Sequence, residues 1–148
     1  MRSFEELSHA FTQRFDAEHF PAHPDTLYSP NRYILTLGGK RIRPVLSLMG
    51  HELFDEIQDN TWNLATALEL FHNFTLIHDD IMDQAPLRRG LPTVHAKYGI
   101  NTALLSGDVM LIKAYEYLNR ITTDHQAAVL QVFNQVAREV CEGQQLDM

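Results

Sequence analysis

The apolar residues recur at helical spacing along most of the chain. Between residues 3 and 20 they fall at Phe4, Leu7, Phe11 and Phe15, three or four apart, which places them on one face of an α-helix. Pro21, Pro24 and Pro30 then mark a turn-rich connection. Ser29-Pro30 predicts an N-cap followed by proline at the first helical position, opening a short helix that stops at Gly38-Gly39. Pro44 starts a further run through Leu46, Leu48, Met49 and Leu53, and Asn60-Thr61 can cap a long helix reaching about Asp83. Residues 84–98 hold Pro86, Gly90 and Pro92 and read as a loop with room for one helical turn. Helical spacing resumes from about Asn101 to Ile121, and Thr123-Asp124 can cap a last helix. No hairpin dipeptide, alternating strand pattern or internal repeat stands out. The expected fold class is all-α, with long helices packed side by side. The last helical pattern runs to Met148 without a Gly or Pro stop, so the expectation is the N-terminal part of a longer protein.

Composition narrows the class. A chain of 148 residues with 45% hydrophobic residues can build one core but not two domains. Its single cysteine, Cys141, excludes a disulfide framework, fits a reducing cytoplasm and is expected to be a small buried residue. No run approaches the ~20 apolar residues of a membrane span, and the start lacks the apolar segment of a secretory signal. A net charge of −7 argues against nucleic acid and anionic membranes as partners. Five of the twelve cations are nonetheless gathered at two places: Lys40, Arg41 and Arg43 within Gly38–Pro44, and Arg88-Arg89. Either cluster alone is accounted for as a solvated loop; together they suit a small polyanion.

The segment Leu68–Asp83 carries the candidate chemistry. At about 100° per residue, Glu69, His72, Leu76, Asp79 and Asp83 share one stripe, with Asp80 on its edge. An exposed helix face with an acidic end would have this pattern. Yet carboxylates at a helix C-terminus oppose the macrodipole, and Asp79 and Asp83 repel each other one turn apart. A cation between them removes both costs, and hard carboxylate oxygens suit Mg²⁺ better than Zn²⁺, for which no HExxH or Cys/His spacing exists. Arg88-Arg89 follows within one loop, so metal ligands and guanidinium forks for a diphosphate adjoin each other. His19 and His23 are four apart, but Pro21 breaks the helix that a metal pair would need.

The chain resembles the trans-polyprenyl diphosphate synthases. The likeness rests on Gly38-Gly39-Lys40-Arg41-Ile42-Arg43-Pro44, His72, Asp79-Asp80-Ile81-Met82-Asp83 and Leu87-Arg88-Arg89-Gly90-Leu91-Pro92-Thr93, and continues through Gly107-Asp108 and Glu142–Asp147. It implies an isoprenoid-synthase-type helical bundle, with residues 1–148 as the N-terminal half of a single domain. It implies head-to-tail condensation of isopentenyl diphosphate with an allylic diphosphate by a Mg²⁺-dependent enzyme. Asp79, Asp80 and Asp83 would bind the metal on the allylic diphosphate, which Arg88 would also contact. Lys40, Arg43, His72 and Arg89 would form the isopentenyl diphosphate pocket, with Arg41 structural and Gln144 and Asp147 facing the cavity. A homodimer is expected, with the Asn101–Ile121 helix contributing. The second aspartate motif and the lysine of the family's second half are absent from the sequence, so the 148 residues alone are expected to be inactive.

Product length in this family is thought to depend on residues just below the aspartates. Phe74 lies about 7.5 Å beneath Asp79 along a helix and would floor the cavity for a farnesyl or geranylgeranyl product, while simple packing against a neighbouring helix accounts for it nearly as well. A terpene cyclase would have no use for the Gly38–Pro44 motif and His72. A non-catalytic subunit that regulates an active synthase could have lost the aspartates. A plain helical interaction domain leaves the charge pattern unexplained.

Overall fold

The computed structural model describes residues 1–16, 19–122 and 124–148. Among these residues seven helices and one minute hairpin follow in order: α1 (Phe4–Phe15), α2 (Asp25–Thr36), α3 (Ile42–Glu52), α4 (Asp59–Met82), β1 (Leu87–Arg88), β2 (Leu91–Pro92), α5 (Val94–Tyr98), α6 (Ile100–Asn119) and α7 (Gln126–Asp147). The all-α architecture is as expected, and several boundaries differ for definable reasons.

Helix α2 opens at Asp25, so Pro30 lies inside it rather than at its first position. Asp25 in the first turn complements the positive end of the dipole. Helix α3 begins two residues before Pro44, which therefore occupies the first turn, where a missing N–H leaves no intrahelical bond unmade. The cap of α4 is Gln58, whose backbone N–H donates to Thr61 Oγ1 at 3.3 Å, rather than Asn60-Thr61. Thr123, half of the expected cap for α7, lies outside the described residues, and the helix starts after His125.

Helix α4 is the spine. It packs along α6, and α3 lies against another side of it, with α1 on α3 and α2 on α6. Buried positions therefore recur around most of its circumference: Ala65, Ala67, Glu69, Leu70, Phe71, Asn73, Ile77 and Asp80. A helix covered on several sides has no single apolar stripe. Leu70 and Ile77 of α4 join Ala103, Met110, Ala114 and Leu118 of α6, with Val45 and Leu48 of α3 and Leu7 and Phe11 of α1, in one core. Gly107 on α6 lets that helix approach α4 closely at His78, while Ser106 Oγ donates to Leu27 O of α2 at 2.9 Å. Cys141 is exposed on α7, contrary to expectation, because that helix buries little beyond Phe133.

Candidate functional site: a cation cavity beside a carboxylate helix end

The Gly38–Pro44 segment builds a cavity of about 300 Å³ against α4, lined by Lys40, Arg43, His72 and Arg89 together with Gly39 and the Arg41–Glu69 pair. All four residues expected in the isopentenyl diphosphate pocket thus share one cavity. Its base is ionic. Arg41 Nη1 donates to Glu69 Oε1 at 2.6 Å, with both side chains under one-tenth exposed. Glu69 also accepts from Asn73 Nδ2, and the Arg41 guanidinium lies 4.9 Å from the Phe15 ring centre. Arg41 holds a left-handed backbone (φ 54°) at the start of α3. That conformation turns the chain sharply between Lys40 and Arg43 and costs energy for a residue with a Cβ. Glu69 is therefore not part of an exposed polar stripe.

His72 is half-buried, and its pKa is lowered first by that burial and then by the positive charge of Arg43. A neutral imidazole can accept a hydrogen bond, and Arg43 Nη1 lies 3.4 Å from His72 Nε2. The cavity accordingly presents guanidinium and ammonium groups around a neutral histidine, a setting that favours a polyanion.

The hairpin joins this cavity to the aspartates. Its two-residue turn, Arg89-Gly90, has φ of 51° and 80°, the positive values that a type I′ connection demands. Consecutive arginines consequently serve two places. Arg88 forks onto Asp80, with Nε to Oδ2 and Nη2 to Oδ1 both at 2.8 Å. Arg89 Nη1 donates to the Gly38 carbonyl, and its Nη2 lies 3.3 Å from where a Cβ on Gly39 would stand. Tyr33 Oη donates to Pro92 O at 2.6 Å and Thr93 Oγ1 to Ala85 O at 2.8 Å, tying the hairpin to α2 and to its own base.

At the end of α4, Asp79 is half-buried, Asp80 buried, and Asp83 exposed at the C-cap, one turn from Asp79. Burial raises the Asp79 pKa, the Asp83 charge adds to the rise, and Arg88 opposes it. Both oxygens of Asp80 are occupied by Arg88, so in this arrangement Asp80 orients the arginine. No group of three metal-ligating side chains exists among the described residues. Asp79 and Asp83 remain a pair of hard donors whose mutual repulsion a divalent ion would relieve, and they fit Mg²⁺ completed by substrate oxygens. Gln144 Nε2 reaches Met82 Sδ at 3.9 Å, placing Gln144 beside this helix end, whereas Asp147 is exposed at the end of α7. Among the described residues His19 joins no metal-ligating group; its ring nitrogens lie 2.7 Å from Tyr117 Oη and from Phe15 O. The sequence offered no signal for the hairpin beyond Gly90, since Arg-Gly is not a standard turn pair.

The structure is a helical bundle that sets arginines and a lysine beside paired aspartates, and comparison with known proteins gives its family. The polyprenyl synthetase family profile matches residues 24–148, and the chain belongs to that family. It is 46% identical over 125 residues to a short chain isoprenyl diphosphate synthase of Methanocaldococcus jannaschii, covering 84% of this chain and 38% of that protein. It is 42% identical over 127 residues to a geranylgeranyl diphosphate synthase of Methanosarcina mazei, covering 84% of this chain and 39% of that one. Among solved structures, a geranylgeranyl pyrophosphate synthase superposes with a TM-score of 0.93 at 46% identity, covering 98% of this chain and 44% of that chain. The corresponding protein from Pyrococcus horikoshii gives 0.88 at 37% identity, covering 96% and 45%. The chain thus spans about two-fifths of the length of these curated relatives. No helix among the described residues is long and apolar enough to cross a membrane.

Proposed function

We propose that the whole protein condenses isopentenyl diphosphate head-to-tail with an allylic diphosphate, and that residues 1–148 form the N-terminal half of its single helical domain. The observation that best supports this reading is the division of labour in the hairpin, where Arg89 faces the cation cavity and Arg88 faces the aspartates. Two diphosphates held at adjoining places match a reaction that joins two of them. In this scheme Lys40, Arg43, His72 and Arg89 bind isopentenyl diphosphate in the cavity. Asp79 and Asp83 hold Mg²⁺ on the allylic diphosphate, and Asp80 holds Arg88 in place to contact it. When bound, the ion supplies charge neutralisation for the departing diphosphate. Arg88 adds a preorganised positive charge at the same oxygens. Breaking the allylic C–O bond leaves a carbocation, the isopentenyl double bond attacks it, and loss of a proton restores an alkene. Apolar walls around the carbocation exclude the water that would quench it.

Product size is read from Phe74. Its ring packs edge-on between Phe71 at 5.6 Å and His78 at 4.8 Å, one to two turns below Asp79 along α4, and Phe71 in turn borders an apolar cleft of about 530 Å³ between α4 and α7. A ring at that depth favours farnesyl or geranylgeranyl length, and the Methanosarcina mazei relative is named a geranylgeranyl diphosphate synthase. The homodimer contact is assigned to α6, where Leu105 and Ile112 project 59% and 58% exposed on one face. A cytoplasmic location accords with the lone cysteine.

The test is incubation of the whole protein with Mg²⁺, isopentenyl diphosphate and dimethylallyl, geranyl or farnesyl diphosphate, with products sized by mass spectrometry. The expected result is a Mg²⁺-dependent ladder ending at farnesyl or geranylgeranyl diphosphate. A correctly folded whole protein that makes no such product contradicts the proposal and points to a regulatory subunit.

A further inference from the structure

Phe71, Phe74 and His78 stand at i, i+3 and i+7 on α4 and form a continuous edge-on column. The lower end is anchored by Phe133 of α7, whose ring centre lies 5.3 Å from that of Phe71. The upper end is anchored on α6. His78 Nε2 lies 3.2 Å from the Leu104 carbonyl oxygen and 3.7 Å from Asp108 Oδ1. The imidazole rests on the α6 backbone at Gly107, where an added Cβ would stand 2.4 Å from His78 Nε2 and 2.5 Å from His78 Cδ2. No real side chain tolerates such an approach. Glycine weakens a helix interior relative to alanine, so a glycine in the middle of α6 is accounted for by the ring it admits.

This seat fixes where Phe74 can go. The Phe74 ring is held from above by an imidazole that cannot shift toward α6 and from below by a phenyl ring backed by α7. Phe71 in turn borders an apolar cleft with Leu64 and Leu68 of α4 and Val132, Phe133 and Val136 of α7. We infer that His78, seated against Gly107, is a positioning residue that keeps the Phe74 ring in place between itself and Phe71 and thereby limits product length. The inference rests on the reading above that Phe74 floors the product cavity. His78 and Gly107 touch no substrate in this account; they act through Phe74.

Four variants of the whole protein separate the possibilities: His78→Ala, Gly107→Ala, Phe74→Ala and the double variant Phe74→Ala/His78→Ala. Product ladders are sized by mass spectrometry, with a thermal melt of each variant. The expected result is that His78→Ala and Gly107→Ala each extend the longest product by at least one isoprene unit. The double variant should end where Phe74→Ala alone ends, because the two residues act in series. A purely structural role would lower the melting temperature and the yield but leave the end of the ladder in place. If His78→Ala does not fold, His78→Gln keeps a donor for the Leu104 carbonyl, removes the ring edge from Phe74 and carries the same expectation. Folded His78 and Gly107 variants with the original ladder, beside a lengthened Phe74→Ala, overturn the inference and leave the Phe74 reading standing. An unchanged ladder in Phe74→Ala overturns that reading and this inference with it.

Discussion

Replacing Glu69 by alanine removes one half of the ion pair beneath the cation cavity and leaves the other half buried. Arg41 and Glu69 side chains are 7% and 5% exposed and meet at 2.6 Å, so Arg41 has no route to water without moving the left-handed turn that carries it. Breaking a buried pair on one side costs about 3–5 kcal/mol, because the remaining charge is uncompensated. Asn73 keeps its bond to the Glu69 backbone carbonyl at 2.8 Å, so its contribution to the loss is small. At ~2–4 °C per kcal/mol for a chain of this size, the melting temperature should fall by roughly 6–20 °C. Urea unfolding of the metal-free chain followed by circular dichroism measures the free-energy change directly. Exchanging both partners, as Arg41→Met with Glu69→Leu, should bring stability back to within about 1–2 kcal/mol of the original. The double variant should still bind diphosphate weakly, because the turn between Lys40 and Arg43 has lost its anchor. A loss below about 1 kcal/mol in Glu69→Ala would refute the claim that a buried charge pair underpins the cavity.

Three further perturbations probe the two halves of the site. Asp79 has a raised pKa, so its contribution to stability is complete below the ordinary carboxyl range and is lost as pH rises through its own value. Asp79→Asn should therefore raise the melting temperature of the metal-free chain at pH 7, with the gain vanishing below about pH 4; an unchanged or lower melting temperature at neutral pH contradicts this. Asp83→Ala in the whole protein should reduce kcat by about 10²–10³, in line with the loss of a group that stabilises charge in the transition state, and near-normal turnover would remove the metal assignment. Gly39→Ala sets a Cβ 3.3 Å from Arg89 Nη2 at a backbone φ of 152°. It should weaken diphosphate binding about tenfold, a ~1.4 kcal/mol loss, and unaltered binding by calorimetry would show that Arg89 does not need this approach.

The helices were legible because their signals are local. Apolar spacing located α1, α3, α4 and α6 to within a few residues, since each buries a face at helical period. The charge clusters around Lys40 and Arg88-Arg89 were legible from the residues, whereas the set Lys40, Arg43, His72 and Arg89 came from the family resemblance, because the pairing of distant segments leaves no local signal. What escaped was relational. Whether Glu69 faces solvent depends on where Arg41 comes to rest, 28 positions earlier in the chain. Whether Asp80 is a free carboxylate depends on a fork from Arg88, which in turn depends on a positive-φ turn that Arg-Gly does not announce. The start of α2 was misplaced because Ser29-Pro30 has the form of a helix start, while the contacts of α2 with α6 and α5 settle the register instead. Gly107 reads as a weak point in α6 until the His78 ring is placed against it.

The most direct test of the central claim needs only the 148-residue chain, because Lys40, Arg43, His72 and Arg89 all lie within it. Isopentenyl diphosphate is titrated into the metal-free chain by isothermal calorimetry, then into Arg43→Ala and Arg89→Ala, with isopentenol as the uncharged control. The account predicts one site that needs no Mg²⁺, loses about tenfold or more in affinity with either arginine and ignores the alcohol. Affinity that survives both substitutions, or no binding of the diphosphate to the folded chain, would contradict it.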